Sequence, residues 1–288
     1  MKLHHYIISF LYPFKLFIYL IKKYLLGIKV DQLRVLLYHD IPIEKHLEFQ
    51  KQLIKLKKSW NFISPKEFSD LLNKKSKLKG RNLLITFDDG YYSNRIVAKN
   101  ILNPLEIKAI FFVVSDFVDI ENREEARKYI STNIYPSLDL KDIPKSYYNM
   151  KWSHLKQLIK DGHSIGAHTK THAKLSEIKS KNDLRDEIVN SADYMEKMLD
   201  ISIDYFAFPF GNIDSFSQDA LMITKNRFDF IFSGFRGDNN QTSKDFVLFR
   251  DSINLNFSNC LIASFLEGTS DFFYRNSKNE MDLWSNKF

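Results

Sequence analysis

Apolar and polar positions along this chain follow two alternating rhythms. Short runs rich in Val, Ile, Leu, Ala and Phe recur at 35–38, 83–87, 109–114, 164–167, 205–208, 228–232 and 247–249, and such runs read as strands. Between them, apolar residues return at three- and four-residue intervals over 45–58, 93–102, 152–160, 182–199 and 215–226, the pattern of amphipathic helices. In 152–160 the stripe is Trp152, Leu155, Leu158 and Ile159, and Asp161-Gly162 supplies a glycine stop. Ser64-Pro65-Lys66-Glu67 marks another helix start, with Pro at the first helical position and Glu close behind. Strand–helix alternation of this kind predicts an α/β fold around a parallel sheet. Segment 119–149, rich in charge and tyrosine, breaks the rhythm. It reads as a lid or substrate-recognition insert, or else as a surface excursion.

Several apolar runs end in chemistry. Leu83-Leu84-Ile85-Thr86-Phe87 stops at Asp88-Asp89-Gly90. Side chains alternate along a strand, so adjacent carboxylates share one cleft only if the chain turns there, and Gly90 permits the turn. Such a pair suits one metal ligand and one general base, although Asp-Asp-Gly is also an ordinary turn sequence. The run Ser164-Ile165-Gly166-Ala167 leads to His168 and His172. Imidazoles four apart meet on a helical face, or in a tight turn after a strand. With one carboxylate they form a zinc set that leaves coordination positions open; each histidine alone would simply satisfy local hydrogen bonds. Phe208-Pro209-Phe210-Gly211 ends a third run. There Pro209 and Gly211 fix a loop whose Phe210 N–H suits an oxyanion donor, or they merely close a strand. His39, after Leu36-Leu37-Tyr38, is a candidate general acid. Arg250, after Val247-Leu248-Phe249, is either a surface arginine or a group that orients a carboxylate such as Asp88.

Composition narrows the choice. A chain of 288 residues with 44% hydrophobic and 27% charged residues is globular and long enough for one α/β barrel. The only cysteine, Cys260, excludes an internal disulfide, and its neighbours Leu261 and Ile262 predict burial. No Gly-x-Ser-x-Gly elbow is present. The net charge of +7 favours anionic surfaces, but no metal-finger or RNA-reader motif supports nucleic acid as the partner. Residues 1–30 are apolar and basic, with Lys15, Lys22 and Lys29 seven apart and no small-residue cleavage site after the apolar stretch. The apolar run within it, Tyr6 to Ile21, contains Pro13 and Lys15 and is short for a spanning helix. The segment predicts an interfacial helix on an anionic membrane, at the cytoplasmic or the external face, with packing on the barrel itself or an uncleaved signal anchor of a periplasmic or external enzyme as the alternatives.

Taken together, Thr86-Phe87-Asp88-Asp89-Gly90, His168-Thr169-Lys170-Thr171-His172 and Phe208-Pro209-Phe210-Gly211, in this order, resemble the motifs of the polysaccharide deacetylases, the NodB-like carbohydrate esterase family 4. The resemblance covers roughly residues 33–255. Leu36-Leu37-Tyr38-His39 is similar to a subgroup acting on extracellular or surface polysaccharides. The resemblance implies an irregular (β/α) barrel of seven strands over 31–268, with an insert near 119–149 and a C-terminal tail at 269–288. It implies a divalent metal, Zn2+ or else Co2+, Ni2+ or Fe2+, held by Asp89, His168 and His172. Asp88 would be the base, His39 the acid, and Phe210 and Pro209 the substrate-side loop. The implied reaction is removal of N-acetyl groups from a polysaccharide, cell-surface glycan or lipid-linked precursor. Two departures stand out: Ala207 replaces an arginine found in many members, and the late Leu-x-His motif is missing. They motivate one rival, a catalytically impaired glycan-binding relative; a hydrolase of a non-sugar amide is a second.

Overall fold

The seven anticipated strands are all present in the computed structural model, which describes residues 30–240 and 247–285 and positions 12–14, 16–18, 21 and 25. They are β1 (Gln32–Tyr38), β3 (Arg81–Phe87), β4 (Ala109–Val113), β5 (Ser164–Ala167), β6 (Tyr205–Ala207), β7 (Phe230–Phe232) and β8 (Val247–Leu248). Two more, β2 (Asn61–Phe62) and β9 (Asp251–Ser252), are two residues each and too polar to have been read as strands. Every pairing is parallel, in the order β8-β7-β6-β5-β4-β3-β1-β9, with β2 added beside the start of β3. The two ends of that order, β8 and β9, are separated only by Phe249 and Arg250. The sheet therefore curls back on itself as an irregular barrel.

Alternate residues face inward. Val35, Leu84, Ile110, Phe112, Ala207, Phe232 and Leu248 form an inner cluster with Phe68 and Leu71 of the helix Pro65–Leu72. That helix starts where the sequence predicted: Ser64 and Glu67 cap each other's backbone N–H groups, an arrangement worth about 1 kcal/mol. Outward residues such as Leu36, Ile85, Phe111 and Ile165 pack against the surrounding helices.

The helix over 182–199 is one path with a wider turn at Asp186–Asn190. The helix expected from 215 begins at Gln218, because Ser217 caps it. Segment 119–149 carries the helix Arg123–Tyr129 and packs Ala126, Ile130, Ile134 and Ile143 against Phe117 and Tyr91 in a small core, so it is not a bare surface excursion. Cys260 is exposed, contrary to expectation. It is the second residue of the helix Asn259–Leu266, whose buried face begins one position later at Leu261. The final helix, Arg275–Ser285, returns to the barrel, where Met281 is buried.

The interfacial helix expected at 1–30 lies largely outside the described residues. Of its described positions, Tyr12 and Leu16 line a cavity with Leu56, Trp60 and Ile262. No helix among the described residues is long and apolar enough to cross a membrane.

One buried histidine has a structural job. His163 Nδ1 accepts from the Ala109 N–H at 3.1 Å, and its Nε2 faces Asn103 Oδ1 at 3.0 Å. Burial, then the nearby Lys108 charge, pushes its pKa down to about 4. The unfolded chain binds this proton near pH 6.5. Stability is therefore complete above pH 6.5 and falls between pH 6.5 and 4, by at most about 3 kcal/mol. Chemical denaturation across that range is expected to show a flatter acid slope for His163→Gln; an unchanged slope would remove His163 from the account.

Candidate metal centre and catalytic cleft

The inward parity of the strands assembles the site. Just past the C-terminal end of β3, Asp88 continues the inward positions Leu84 and Thr86; past β1, His39 continues Val35 and Leu37; past β5, His168 continues Gly166; past β8, Arg250 continues Leu248. All four line one cleft of about 490 Å³ at the strands' C-terminal ends, together with Asp89, His172, Tyr135 and Phe210. In parallel α/β barrels this is the end where functional loops gather.

Asp89 is out of phase with Leu84, Thr86 and Asp88, and His172 lies well past the end of β5, so both reach the cleft through backbone turns. Four of the seven non-glycine residues with positive φ among the described residues are here: Asp89 (74°), Thr169 (63°), His172 (66°) and Phe210 (62°). For a β-branched residue such as Thr169 this backbone is costly. The two histidines therefore meet across a tight turn and not on a helical face. Gly211 (φ 67°) allows the next turn: a Cβ there would sit 2.7 Å from the backbone N of Gly234.

Asp89 Oδ1 lies 3.5 Å from Nε2 of both His168 and His172, and the three ligand atoms fall within 4.8 Å of one another. A metal fits this set for two structural reasons. Each imidazole donates its Nδ1–H to a backbone carbonyl, His168 to Ala207 at 2.6 Å and His172 to Asn133 at 2.9 Å. That leaves both Nε2 lone pairs aimed inward, the usual outer-shell arrangement of metal-binding histidines. Asp89 Oδ2 is buried with no hydrogen-bond partner among the described residues, which an ordinary structural carboxylate avoids.

The electrostatics agree. Burial works against the Asp89 charge, but the His168 hydrogen bond and the fields of His39, His172 and His168 prevail and hold its pKa at about 2. Burial drives His172 down to about 4. Burial also opposes charge on His168, yet Asp88 and Asp89 raise it above the usual histidine value. Loading the site with a cation costs that proton.

Asp88 is held differently. Arg250 grips it with two charge-assisted bonds, Nη1 to Oδ1 at 2.6 Å and Nη2 to Oδ2 at 2.9 Å. Arg250 Nε donates to the Ser233 carbonyl at 2.8 Å, and the guanidinium lies 5.2 Å from the Phe112 ring centroid. This arginine is fully buried, so the surface alternative does not hold. His39 lines the cleft half-buried and makes no hydrogen bond among the described residues. Phe210 leans its ring on His172, centroids 4.8 Å apart, and its N–H has no partner among the described residues. Pro209, expected beside it on the substrate side, is buried and does not line the cleft.

Sequence reasoning missed the groups that hold the second motif in place. Glu187 Oε2 accepts from the N–H groups of Lys170 and Thr171, and Oε1 accepts from the Thr171 hydroxyl at 2.7 Å. Asn133, from the 119–149 insert, donates its side-chain amide to the Thr171 carbonyl and offers its own carbonyl to His172. Nothing local marks either residue; Glu187 looks like one more helical glutamate. Glu187→Ala is expected to weaken metal affinity by about 10–100-fold, read by competition with a chromophoric chelator. Unchanged affinity would show that the turn holds without it.

Comparison with known proteins agrees with this geometry. The family model described as polysaccharide deacetylase matches residues 75–225, a span that holds Asp88, Asp89, His168, His172 and Phe210 but neither His39 nor Arg250. A Bacillus subtilis (strain 168) protein that carries the polysaccharide deacetylase name, YxkH, is 22% identical over 64% of this chain and 58% of its own length. The chain thus spans somewhat over half of that curated relative. Among solved structures, IcaB from Ammonifex degensii superposes with a TM-score of 0.66 at 21% identity, over 83% of this chain and 98% of its own. The Streptococcus pyogenes deacetylase PplD, in complex with acetate, gives 0.63 at 19% identity over 87% and 99%. At these identities the likeness establishes the shared fold.

Proposed function

The chain belongs to the polysaccharide deacetylase family, and on that premise we propose that it is a metal-dependent hydrolase that removes N-acetyl groups from a sugar of a polysaccharide, a cell-surface glycan or its lipid-linked precursor. The observation that carries this reading is the asymmetry of Asp88 and Asp89. One faces two inward imidazole nitrogens with a spare oxygen, and the other is clamped by Arg250 in the same cleft.

Asp89, His168 and His172 would hold the cation, and Zn2+, Co2+, Ni2+ and Fe2+ all suit such ligands. A bound divalent cation would supply a Lewis acid that acidifies water and polarises the acetyl oxygen. Asp88, kept in one orientation by Arg250, takes a proton from the attacking water. The Phe210 N–H donates to the oxygen that gains charge as the carbonyl carbon becomes tetrahedral. His39 donates a proton to the amide nitrogen as the C–N bond breaks. The products are acetate and a free amino sugar. Arg250 also answers the departure at Ala207: Ala207 gives its carbonyl to His168, and the carboxylate is oriented from β8 instead.

The test is acetate release from N-acetylglucosamine oligomers, alongside metal analysis. Chelation should abolish release, and restoring the cation should recover it. Metal-loaded protein that releases no acetate from any acetylated sugar would end the deacetylase reading. We further propose that residues 1–30 hold the enzyme at an anionic membrane surface. Flotation with anionic vesicles should carry the whole chain but not a version lacking those residues.

A further inference from the structure

The end of the barrel opposite the cleft carries charged and aromatic surface that the reaction does not use. The loop from the helix Pro65–Leu72 to β3 holds Lys74, Lys75, Lys77 and Lys79, all exposed. It runs into Arg81, the first residue of β3, and the Gln32 N–H at the start of β1 donates to the Gly80 carbonyl at 2.9 Å. The four lysines therefore stand at the N-terminal ends of β1 and β3. Lys55 and Lys58, at the close of the helix His46–Lys57, are exposed beside them and line the cavity that Tyr12, Leu16 and Arg81 share.

Most acids nearby are already engaged. Asp70 pairs with Lys66, Glu267 with Arg81 and Asp271 with Arg34, and Asp31 accepts from the Gly80 N–H at 2.6 Å. The other side of this end mixes its charges, with Asp161, Asp204 and Asp229 just ahead of β5, β6 and β7. The positive patch is thus local to the β1–β3 side.

Aromatic surface lies at its edge. Directly after Asp271, which reaches Arg34 near the start of β1, Phe272 and Phe273 are 61% and 57% exposed, with ring centroids 4.0 Å apart. Phe14 and Phe17 are exposed as well, while Tyr12 and Leu16 line the cavity against the barrel. Exposed rings beside a cluster of lysines match an anionic bilayer, which takes the rings into its interface and sets the ammonium groups against its head groups. A soluble polyanion would engage the lysines alone.

We propose that the β1–β3 side of the barrel's N-terminal end is a docking surface for an anionic lipid bilayer, shared with residues 1–30, and that docking there turns the cleft away from the membrane. The inference rests on the membrane reading of residues 1–30 and, for its substrate, on the deacetylase reading. β1 and β3 are seven residues long, so at about 3.3 Å per residue the cleft stands roughly 23 Å along the strands from the docked end. A sugar joined directly to its lipid does not reach that far. The substrate is then a glycan chain that extends clear of the head groups.

The experiment uses the full chain and phosphatidylcholine vesicles with or without phosphatidylglycerol. Replacing Lys74, Lys75, Lys77 and Lys79 with Gln should weaken partitioning onto the anionic vesicles by about tenfold or more, since each lysine near such a surface adds to binding. The same change at Lys141, Lys145, Lys179 and Lys181, exposed elsewhere, should weaken it far less, although the net charge falls equally. An environment-sensitive fluorophore on Phe273→Cys, in a Cys260→Ser background, should brighten on binding. One on Ser137→Cys, at the rim of the cleft, should not. Acetate release from soluble N-acetylglucosamine oligomers should continue unchanged on the vesicles, because the cleft stays open to water.

Equal effects of the two lysine sets would overturn the docking surface and leave residues 1–30 as the whole anchor. Brightening at Ser137→Cys but not at Phe273→Cys, or vesicles that block acetate release, would overturn the orientation. Heparin binding through the lysine loop with no brightening at Phe273→Cys would make a soluble polyanion the partner instead. A full chain that releases acetate yet stays off anionic vesicles would end both membrane claims and leave the deacetylase. Docking without acetate release from any sugar would keep the surface and end only the deacetylase reading.

Discussion

Asp88→Asn should retain its metal and lose turnover by about 10²–10⁴, the usual contribution of a positioned general base, whereas Asp89→Ala should lose the metal itself. The reasoning is geometric. Asp89 Oδ1 stands 3.5 Å from both imidazole Nε2 atoms, while Asp88 approaches only His168, at 3.9 Å, and gives both its oxygens to Arg250. Removing the Asp89 carboxylate would take away one of the three proposed ligands. Replacing the Asp88 carboxylate with an amide keeps the shape and removes the proton acceptor. Elemental analysis of purified variants, set beside single-turnover acetate release, separates the two outcomes. Parallel loss of metal in both variants would refute the division of labour. Arg250→Ala belongs to the same test: it should lower turnover while sparing the metal, because Arg250 acts through Asp88.

The second large effect is on stability. Asp251→Ala is expected to destabilise the fold by about 3–5 kcal/mol, the range for removing one partner of a buried ion pair. Arg34 is fully buried on β1, and its guanidinium meets Asp251 at 2.7 and 2.8 Å, Asp271 at 2.7 Å and the Phe265 carbonyl at 2.9 Å. Arg236 adds a longer contact to Asp251 at 3.4 Å. Burial alone would keep Asp251 protonated more readily than usual, and the arginines oppose it. Without that carboxylate, Arg34 stays charged in a place water does not reach. The same cluster joins β1 and β9 to the helix Asn259–Leu266 and, through Asp271, to the C-terminal segment. Asp251 is one residue from Arg250, so loosening this seam should also blur the grip on Asp88. Denaturant unfolding gives the magnitude; a loss below about 1 kcal/mol would mean that Asp271 alone suffices for Arg34. Replacing Arg34 and Asp251 together with apolar residues should cost less than Asp251→Ala, since the fully buried Arg34 charge is then removed with its partner.

The strands and most helices were legible because their signal is local. A run such as Leu83-Leu84-Ile85-Thr86-Phe87 needs no distant partner to be read as a buried strand. The two-residue strands were not legible, since Asn61–Phe62 and Asp251–Ser252 become strands only through the neighbours they pair with. The helix of the 119–149 insert was hidden for a related reason: its core forms against Tyr91 and Val114, which lie outside it in sequence.

The site divides along the same line. The sequence by itself determined the chemical types and their positions: two carboxylates, two spaced histidines and a Pro-Phe-Gly turn, each at the end of an apolar run. Period-two alternation puts His39 in phase with Val35, Asp88 with Leu84, His168 with Gly166 and Arg250 with Leu248, but which phase faces inward was decided by the closed barrel. Only the tertiary structure decided what each group does to the others. It turned Asp89 back into the cleft through a left-handed residue, drew Arg250 across 162 positions of sequence onto Asp88, and set Glu187 and Asn133 behind the second motif. The physical reason is range. Propensity and alternation act over a few residues and can be read one segment at a time. Hydrogen bonds, ion pairs and desolvation act only between groups that the closed barrel has already brought within a few ångströms.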